Sequence, residues 1–261
     1  MTKVLLVGDS FGVSQLMELI PVESICGIVG ASVRPRYINE LEELSAQSNA
    51  QLIIQPKYNT PDYTEFSRRV QECGADVLIC NSYSMLIRGD ILELFGGRAY
   101  NVHYALLPLN RGPNPVQWAI IRDESVTGVT IHRMSEGFDE GEIISSAREE
   151  IRETDTWVSL NERLKQRAFD LLSRTVPALL REKPEGTKQD DSRATKNPRL
   201  TPDYPCIDFD SMTDRGIFNL IRAQVKPLRG AYYEKEGERV YVDCYLSMEE
   251  VGRLRKDRER G

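Results

Sequence analysis

Histidine is the scarcest chemistry-bearing residue in this 261-residue chain: there are two, His103 and His132, and no HxxxH spacing joins them. That scarcity excludes an imidazole-rich metal centre, and no metal is expected. Five cysteines (Cys26, Cys73, Cys80, Cys206, Cys244) are scattered and odd in number, with no CxxC pair. Neither a disulfide framework nor a thiolate zinc site follows from them. Positive charge is also short, with 34 basic against 40 acidic residues and a formal net charge of −6. A protein that binds by neutralising phosphates has the opposite balance, so no nucleic-acid partner is expected. The basic C-terminal tail (Arg253, Arg255, Lys256, Arg258, Arg260) has interspersed acids and no aromatics, and reads as a solvated, frayed end. No apolar run reaches the roughly 20 residues of a membrane helix, and MTKVLLVGDS lacks the long apolar region of an export signal. These absences predict a cytoplasmic protein with no membrane partner. The opening VGDSFGV contains neither GxGxxG nor GxxxxGK[ST]. It reads as a tight strand-to-helix turn, and a nicotinamide cofactor is not implied.

What is present is an alternation of short apolar strands with amphipathic segments. KVLLVG (Lys3 to Gly8) leads into a helical pattern over Val13 to Ile20, ICGIVG (Ile25 to Gly30) into a helix over Ile38 to Ala46, and QLIIQ (Gln51 to Gln55) forms a third strand. Thr60-Pro61-Asp62 reads as an N-cap, a first-turn proline and a first-turn acid, with Tyr63, Phe66, Val70 and Cys73 on one helical face. DVLICN (Asp76 to Asn81) and Ala99 to His103 continue the series as strands. The fold class is therefore α/β, a Rossmann-like mostly parallel sheet with helices on both faces and a ligand crevice at the carboxyl ends of the strands.

Further on, Pro115 to Arg122 reads as a short helix, Thr127 to Met134 and Glu142 to Ile151 as paired strands, and EGFDEG (Glu136 to Gly141) as the loop between them. A long helix starts near Thr156 with an apolar stripe from Leu160 to Leu180, which Pro177 should kink or end. The polar stretch 182–202 has no apolar period and reads as a connector. The expected organisation is a catalytic domain over 1–181, the connector, and a small α+β subdomain over 203–261. That subdomain has a helix over Asp214 to Gln224 and a β hairpin turning at Glu236-Gly237.

Alternation along Ala99 to His103 puts Asn101 and His103 on one side of the sheet, at its carboxyl end, and Asp139 sits in a glycine-flanked loop that can reach them. An asparagine amide can donate to a developing oxyanion, an imidazole can accept a proton near neutral pH, and a carboxylate can fix its tautomer. By spacing alone this catalytic set and a capped strand end beside a surface acid are equally supported. His132 lies in an alternating strand, where a packed or hydrogen-bonded role outweighs a direct one.

The residues NVHYALLPLNRG, followed by ESVTGVTIHRMSEGFDEGEII, closely resemble the signature of the folate-dependent formyltransferases, in order and in spacing. That family includes methionyl-tRNA, glycinamide ribonucleotide and bacterial sugar N-formyltransferases. The resemblance continues through DTWVSL, RLTPDYPCIDFDS and NLIRAQVKPLRGAY, and covers most of Asp76 to Tyr232. It implies catalytic roles for Asn101, His103 and Asp139 and N10-formyltetrahydrofolate as co-substrate. It also implies a pterin slot formed by Tyr83, Met85, Leu86, Ile87, Leu107, Pro108, Gly137, Phe138 and Gly141. Ala105 departs from the serine many relatives carry, and Lys196 from a tyrosine. The chain has neither a basic C-terminal barrel nor a glycine-serine phosphate loop after its first strand, which disfavours transfer RNA and glycinamide ribonucleotide. The implied acceptor is the amine of a nucleotide-linked amino sugar for surface polysaccharides, held by Arg111, Asn114 and Arg222, with Trp118 equally readable as core. A homodimer is a further family expectation.

Overall fold

The computed structural model describes residues 1–259. In chain order the elements are β1 (Val4–Gly8), α1 (Ser10–Met17), β2 (Ile25–Ala31), α2 (Ile38–Ser48), β3 (Gln51–Gln55), α3 (Asp62–Glu72), β4 (Val77–Asn81), α4 (Gly89–Leu92) and β5 (Ala99–His103). There follow α5 (Pro115–Ile121), β6 (Val126–Arg133), β7 (Ile143–Glu150), α6 (Trp157–Arg181), α7 (Asp214–Arg222), β8 (Ala231–Lys235), β9 (Glu238–Val242) and α8 (Met248–Glu259). Seven strands form one sheet in the order β3-β2-β1-β4-β5-β6-β7. Strands β1 to β5 run parallel, and β6 returns antiparallel to β5. The β1, β2 and β4 sequences are continuous apolar runs because both faces of a parallel sheet are covered, and every residue of β1 and β4 is buried. The expected α/β class, with a small antiparallel hairpin near the C-terminus, is what the chain adopts.

Two compact units can be distinguished. The first comprises residues 1–103, 129–147 and 168–192. On one face of its sheet Leu5, Val7, Val29, Ile53 and Leu78 meet Phe66 and Val70 of α3 and Ile91 of α4. Full burial of each such side chain stabilises the fold by about 1.5–3 kcal/mol before chain entropy is counted. The β1-to-α1 turn passes so close to the end of β4 that a Cβ on Gly12 would lie 2.1 Å from the Asn81 carbonyl oxygen. Asp9 caps α1, its Oδ1 accepting from the Gly12 N–H at 2.9 Å.

The second unit comprises residues 104–128, 148–167 and those from 193 on. Its core joins Ile207 and Phe209 to Ile217, Phe218, Leu220 and Ile221 of α7, Ala231 of β8 and Val251 of α8. Thr213 caps α7 by accepting from the Gly216 N–H at 3.1 Å. Glu236 (φ 53°) and Gly237 (φ 82°) make the two-residue hairpin between β8 and β9.

Three local expectations are corrected. Thr60 does not cap α3, because its hydroxyl donates to the Lys57 carbonyl at 2.8 Å. The long helix does not end at Pro177 and runs on to Arg181, its last turns held by burial of Leu179 and by Arg98, which donates to the Leu179 and Leu180 carbonyls. The basic tail is not frayed through Glu259 but folds as α8. Val251 is fully buried there, and Arg255 donates to Asp214 Oδ1 at 2.6 Å and to the Met212 carbonyl at 2.7 Å. Arg260 and the side chain of Arg258 lie outside the described residues. No helix among those described is long and apolar enough to cross a membrane.

Candidate active site

Asn101 sits in β5 with Cys80 of β4 as its register partner on one side and His132 of β6 on the other. His103, two residues on, closes the strand opposite Thr130. Paired residues of neighbouring strands project to the same face, so Asn101, His103 and His132 share one face at the carboxyl end of β5. Both histidines are buried, at 6% and 2% exposure.

Asp139 comes to them from the 136–141 loop, in a left-handed conformation (φ 55°) that aspartate tolerates better than most residues. Its Oδ2 lies 3.5 Å from His103 Nδ1, and its Oδ1 lies 3.2 Å from His132 Nε2. The Asn101 amide donates to the same Oδ1 at 3.2 Å and lies 3.2 Å from His132 Nε2. His132 Nδ1 lies 2.8 Å from the Arg133 carbonyl oxygen. The three residues singled out in the sequence are therefore brought together inside the first unit. Asp139 also acts beyond them: burial first, and then Asp139 and Asp9, hold the Cys80 thiol far above its ordinary range.

The loop is fixed from three directions. Gln189 Nε2 donates to the Asp139 carbonyl at 2.8 Å and to the Gly141 carbonyl at 2.7 Å. Arg133 spans from the Pro184 carbonyl (2.9 Å) to the Glu142 carboxylate (3.1 Å) and the Gly97 carbonyl. A Cβ on Gly141 would lie 1.8 Å from the Arg133 carbonyl oxygen, so only glycine permits this closure. Sequence reasoning missed Gln189, which lies in the polar stretch read as a connector, and gave His132 no place in the cluster. The one available signal for His132 was its register opposite Asn101, which requires the β5–β6 pairing to be known.

The remaining site candidates fall in several environments. Tyr83 and Leu86 are braced by Gln55 at the end of β3, through Tyr83 Oη to Gln55 Oε1 (2.8 Å) and Gln55 Nε2 to the Leu86 carbonyl (2.9 Å). Ile87 is core, Met85 is half-buried, and Phe138 is 59% exposed. Gly137 and Gly141 flank Asp139 in its loop. Leu107 and Pro108 belong to the second unit, with Leu107 buried. Arg111 is buried there, and its backbone pairs with Thr195 and Asn197. Asn114 begins α5, and its Oδ1 accepts from the Leu200 N–H at 3.1 Å. Trp118 is packed, its indole N–H on the Pro198 carbonyl at 2.9 Å. Arg222 is enclosed at 2% exposure, donating to Asn219 and to the carbonyls of Arg152 and Asp155, and burial lowers its pKa.

An α/β sheet that gathers an amide and an imidazole from β5 and a carboxylate from the 136–141 loop within hydrogen-bonding reach has the groups that acid–base group transfer requires. Residues 25–176, more than half of the chain, match the family model described as formyl transferase; the chain belongs to that family and is a formyltransferase. Among solved structures, a sugar N-formyltransferase from Shewanella sp aligns at 24% identity and TM-score 0.75, covering 95% of this chain and 98% of that one. A 4-N formyltransferase from Francisella tularensis aligns at 20% identity and TM-score 0.75, covering 94% and 98%. WlaRD, a sugar 3N-formyl transferase solved in the presence of dTDP and 5-N-formyl-THF, aligns at 17% identity and TM-score 0.67, covering 93% and 95%. At these identities the likeness is one of fold.

Proposed function

We propose that this enzyme moves the formyl group of N10-formyltetrahydrofolate onto the amine of a nucleotide-linked amino-deoxy sugar, a building block of surface polysaccharide. The observation that carries the reading is the meeting of Asn101, His103 and Asp139 on one buried face, with Asp139 Oδ2 3.5 Å from His103 Nδ1. In this reading His103 takes the proton lost by the attacking amine, and Asp139 fixes the ring and holds its charge. An Asn101 N–H would serve as the donor to the formyl oxygen, where negative charge develops.

The folate, when bound, supplies a formyl group activated for attack by an amine. Its flat pterin needs an apolar wall and fixed backbone donors and acceptors, and the Gln55-braced loop carrying Tyr83, Met85, Leu86 and Ile87 suits those needs. Phe138, exposed beside Asp139 and flanked by Gly137 and Gly141, would cover the ring. WlaRD was solved with a folate and a nucleotide, which supports the same pair of ligands for this chain. The sugar acceptor is supported by solved structures called a sugar N-formyltransferase and a sugar 3N-formyl transferase, which match this chain over nearly the whole of both lengths. Residues 1–181 would then carry the transfer chemistry, with Arg111, Asn114 and the 203–261 subdomain contributing to acceptor choice.

The test incubates the protein with N10-formyltetrahydrofolate and a panel of UDP-, dTDP- and GDP-linked amino sugars, read by mass spectrometry. The expected result is one formyl group gained on one panel member, lost with His103→Asn. Formate release with no acceptor formylated would mark a hydrolase and overturn the reading.

A further inference from the structure

Asn101 Nδ2, His132 Nε2 and Asp139 Oδ1 form a triangle of polar atoms with every side 3.2 Å. Counting hydrogens around it assigns each atom's role. His132 Nδ1 faces the Arg133 carbonyl at 2.8 Å. A carbonyl only accepts, so Nδ1 carries a hydrogen and Nε2 is the variable atom. The Asn101 amide cannot be turned round, because its oxygen would then face a carboxylate oxygen at 3.2 Å.

Two hydrogen-bonding states remain, and they differ by one proton, taken from water, on Nε2. With Nε2 bare, Asn101 donates one N–H to Asp139 and the other to His132, and a nitrogen lone pair faces a carboxylate oxygen. With Nε2 protonated, the ring donates to Asp139 Oδ1, Asn101 still donates one N–H there, and the second Asn101 N–H is released. We propose that His132 is a positioning residue that sets whether an Asn101 N–H is available to the reacting oxygen, by whether its Nε2 carries a hydrogen toward Asp139.

This rests on Asn101 serving as the oxyanion donor, as read above. The titratable groups facing the triangle are Asp139 from its loop, with its other oxygen on His103 Nδ1, and Cys80 in register with Asn101 on β4. The two-histidine composition makes the inference directly measurable, since protein labelled with 15N-histidine shows only two imidazoles and His103→Asn assigns them. The expected result, in the ligand-free 261-residue chain, is a His132 ring that keeps its Nδ1 hydrogen. The His132 Nε2 resonance should move in Asp139→Asn, which removes the carboxylate that faces it at 3.2 Å. A bare Nδ1, or an Nε2 signal unmoved by Asp139→Asn, overturns the proposal.

Turnover gives a second readout. His132→Phe should lower kcat on the order of 10²-fold with folate KM little changed. His132→Gln keeps an N–H donor toward Asp139 and should remain within about tenfold of the wild type. His132→Phe at wild-type kcat, or His132→Gln no better than His132→Phe, would count against the assignment. If the wild type formylates no amine, the proposed reaction fails, while the NMR result still judges the triangle on its own.

Discussion

Gly141→Ala is the sharpest test of how the carboxylate is placed. The added Cβ would lie 1.8 Å from the Arg133 carbonyl oxygen, whereas ordinary contact begins near 3.4 Å. Backbone therefore has to give by about 1.6 Å, the difference of those two distances. Arg133 sits in β6, where the Tyr100↔Arg133 pair and the Met134 N–H to Ala99 carbonyl bond at 2.8 Å hold it. The 136–141 loop is the part that moves, and it carries Asp139 with it. A displacement near 1 Å at a catalytic group costs about 10²-fold in rate, so kcat for formyl transfer should drop on that order. The assay compares steady-state kcat at saturating N10-formyltetrahydrofolate and acceptor, alongside a thermal melt of the same preparation. A variant within threefold of wild-type kcat would refute the argument that Gly141 fixes the position of Asp139.

Other expectations are independent of that one. Asp139→Asn and His103→Asn should each lower kcat by about 10²–10⁴-fold while melting near the wild type, and near-normal turnover in either would remove the acid–base assignment. Gln189→Leu strands two carbonyls that Gln189 now satisfies and should cost about 1–3 kcal/mol of stability, read by urea unfolding, together with a loss of kcat. Burial alone would raise the Asp155 pKa, but Arg163, the Arg152 N–H and the Ser159 hydroxyl outweigh it and hold the carboxyl below its ordinary value. A depressed folded-state pKa gives stability that is present above the unfolded value, about 3.9, and is lost as pH falls through the folded one. Asp155→Asn should therefore flatten the decline in unfolding free energy below about pH 4. The free Cys73 thiol, hydrogen-bonded to the free Cys26 and assisted by Arg69 against the effect of burial, is pulled down to about 7, while the hydrogen bond to Cys73 and burial push Cys26 up. Iodoacetamide at pH 7 should label Cys73 ahead of Cys26 in a peptide map, and equal labelling would contradict the pairing.

Strand positions were legible because a sheet covered on both faces writes itself as short apolar runs. QLIIQ and Ala99 to His103 coincide with β3 and β5 to the residue. The meeting of Asn101, His103 and Asp139 was legible as a possibility, since residues two apart on a strand share a face and a glycine-flanked loop can return to them. Pairing information was not legible. His132 enters the cluster only through its register opposite Asn101, and Gln189 only through the path of a stretch with no apolar period. Pro177 and Thr60 were misread because local propensity was outvoted. The helix beyond Pro177 is held by Arg98 and Leu179, and the Thr60 hydroxyl has a nearer carbonyl in Lys57. The C-terminal tail was misread because Val251, Leu254 and the forked Arg255 dock a helix that looks merely charged in sequence.

The fastening of the Asp139 loop by residues 184–189 bears on the order in which the site comes into being. Asn101, His103 and His132 are set by neighbouring strands, whereas the acid is secured by contacts reaching some fifty residues forward, from Asp139 to Gln189 and from Arg133 to Pro184. The histidine pair is thus placed by strand register alone, whereas the carboxylate is in place only when the chain has traversed helix α6 and returned over the loop.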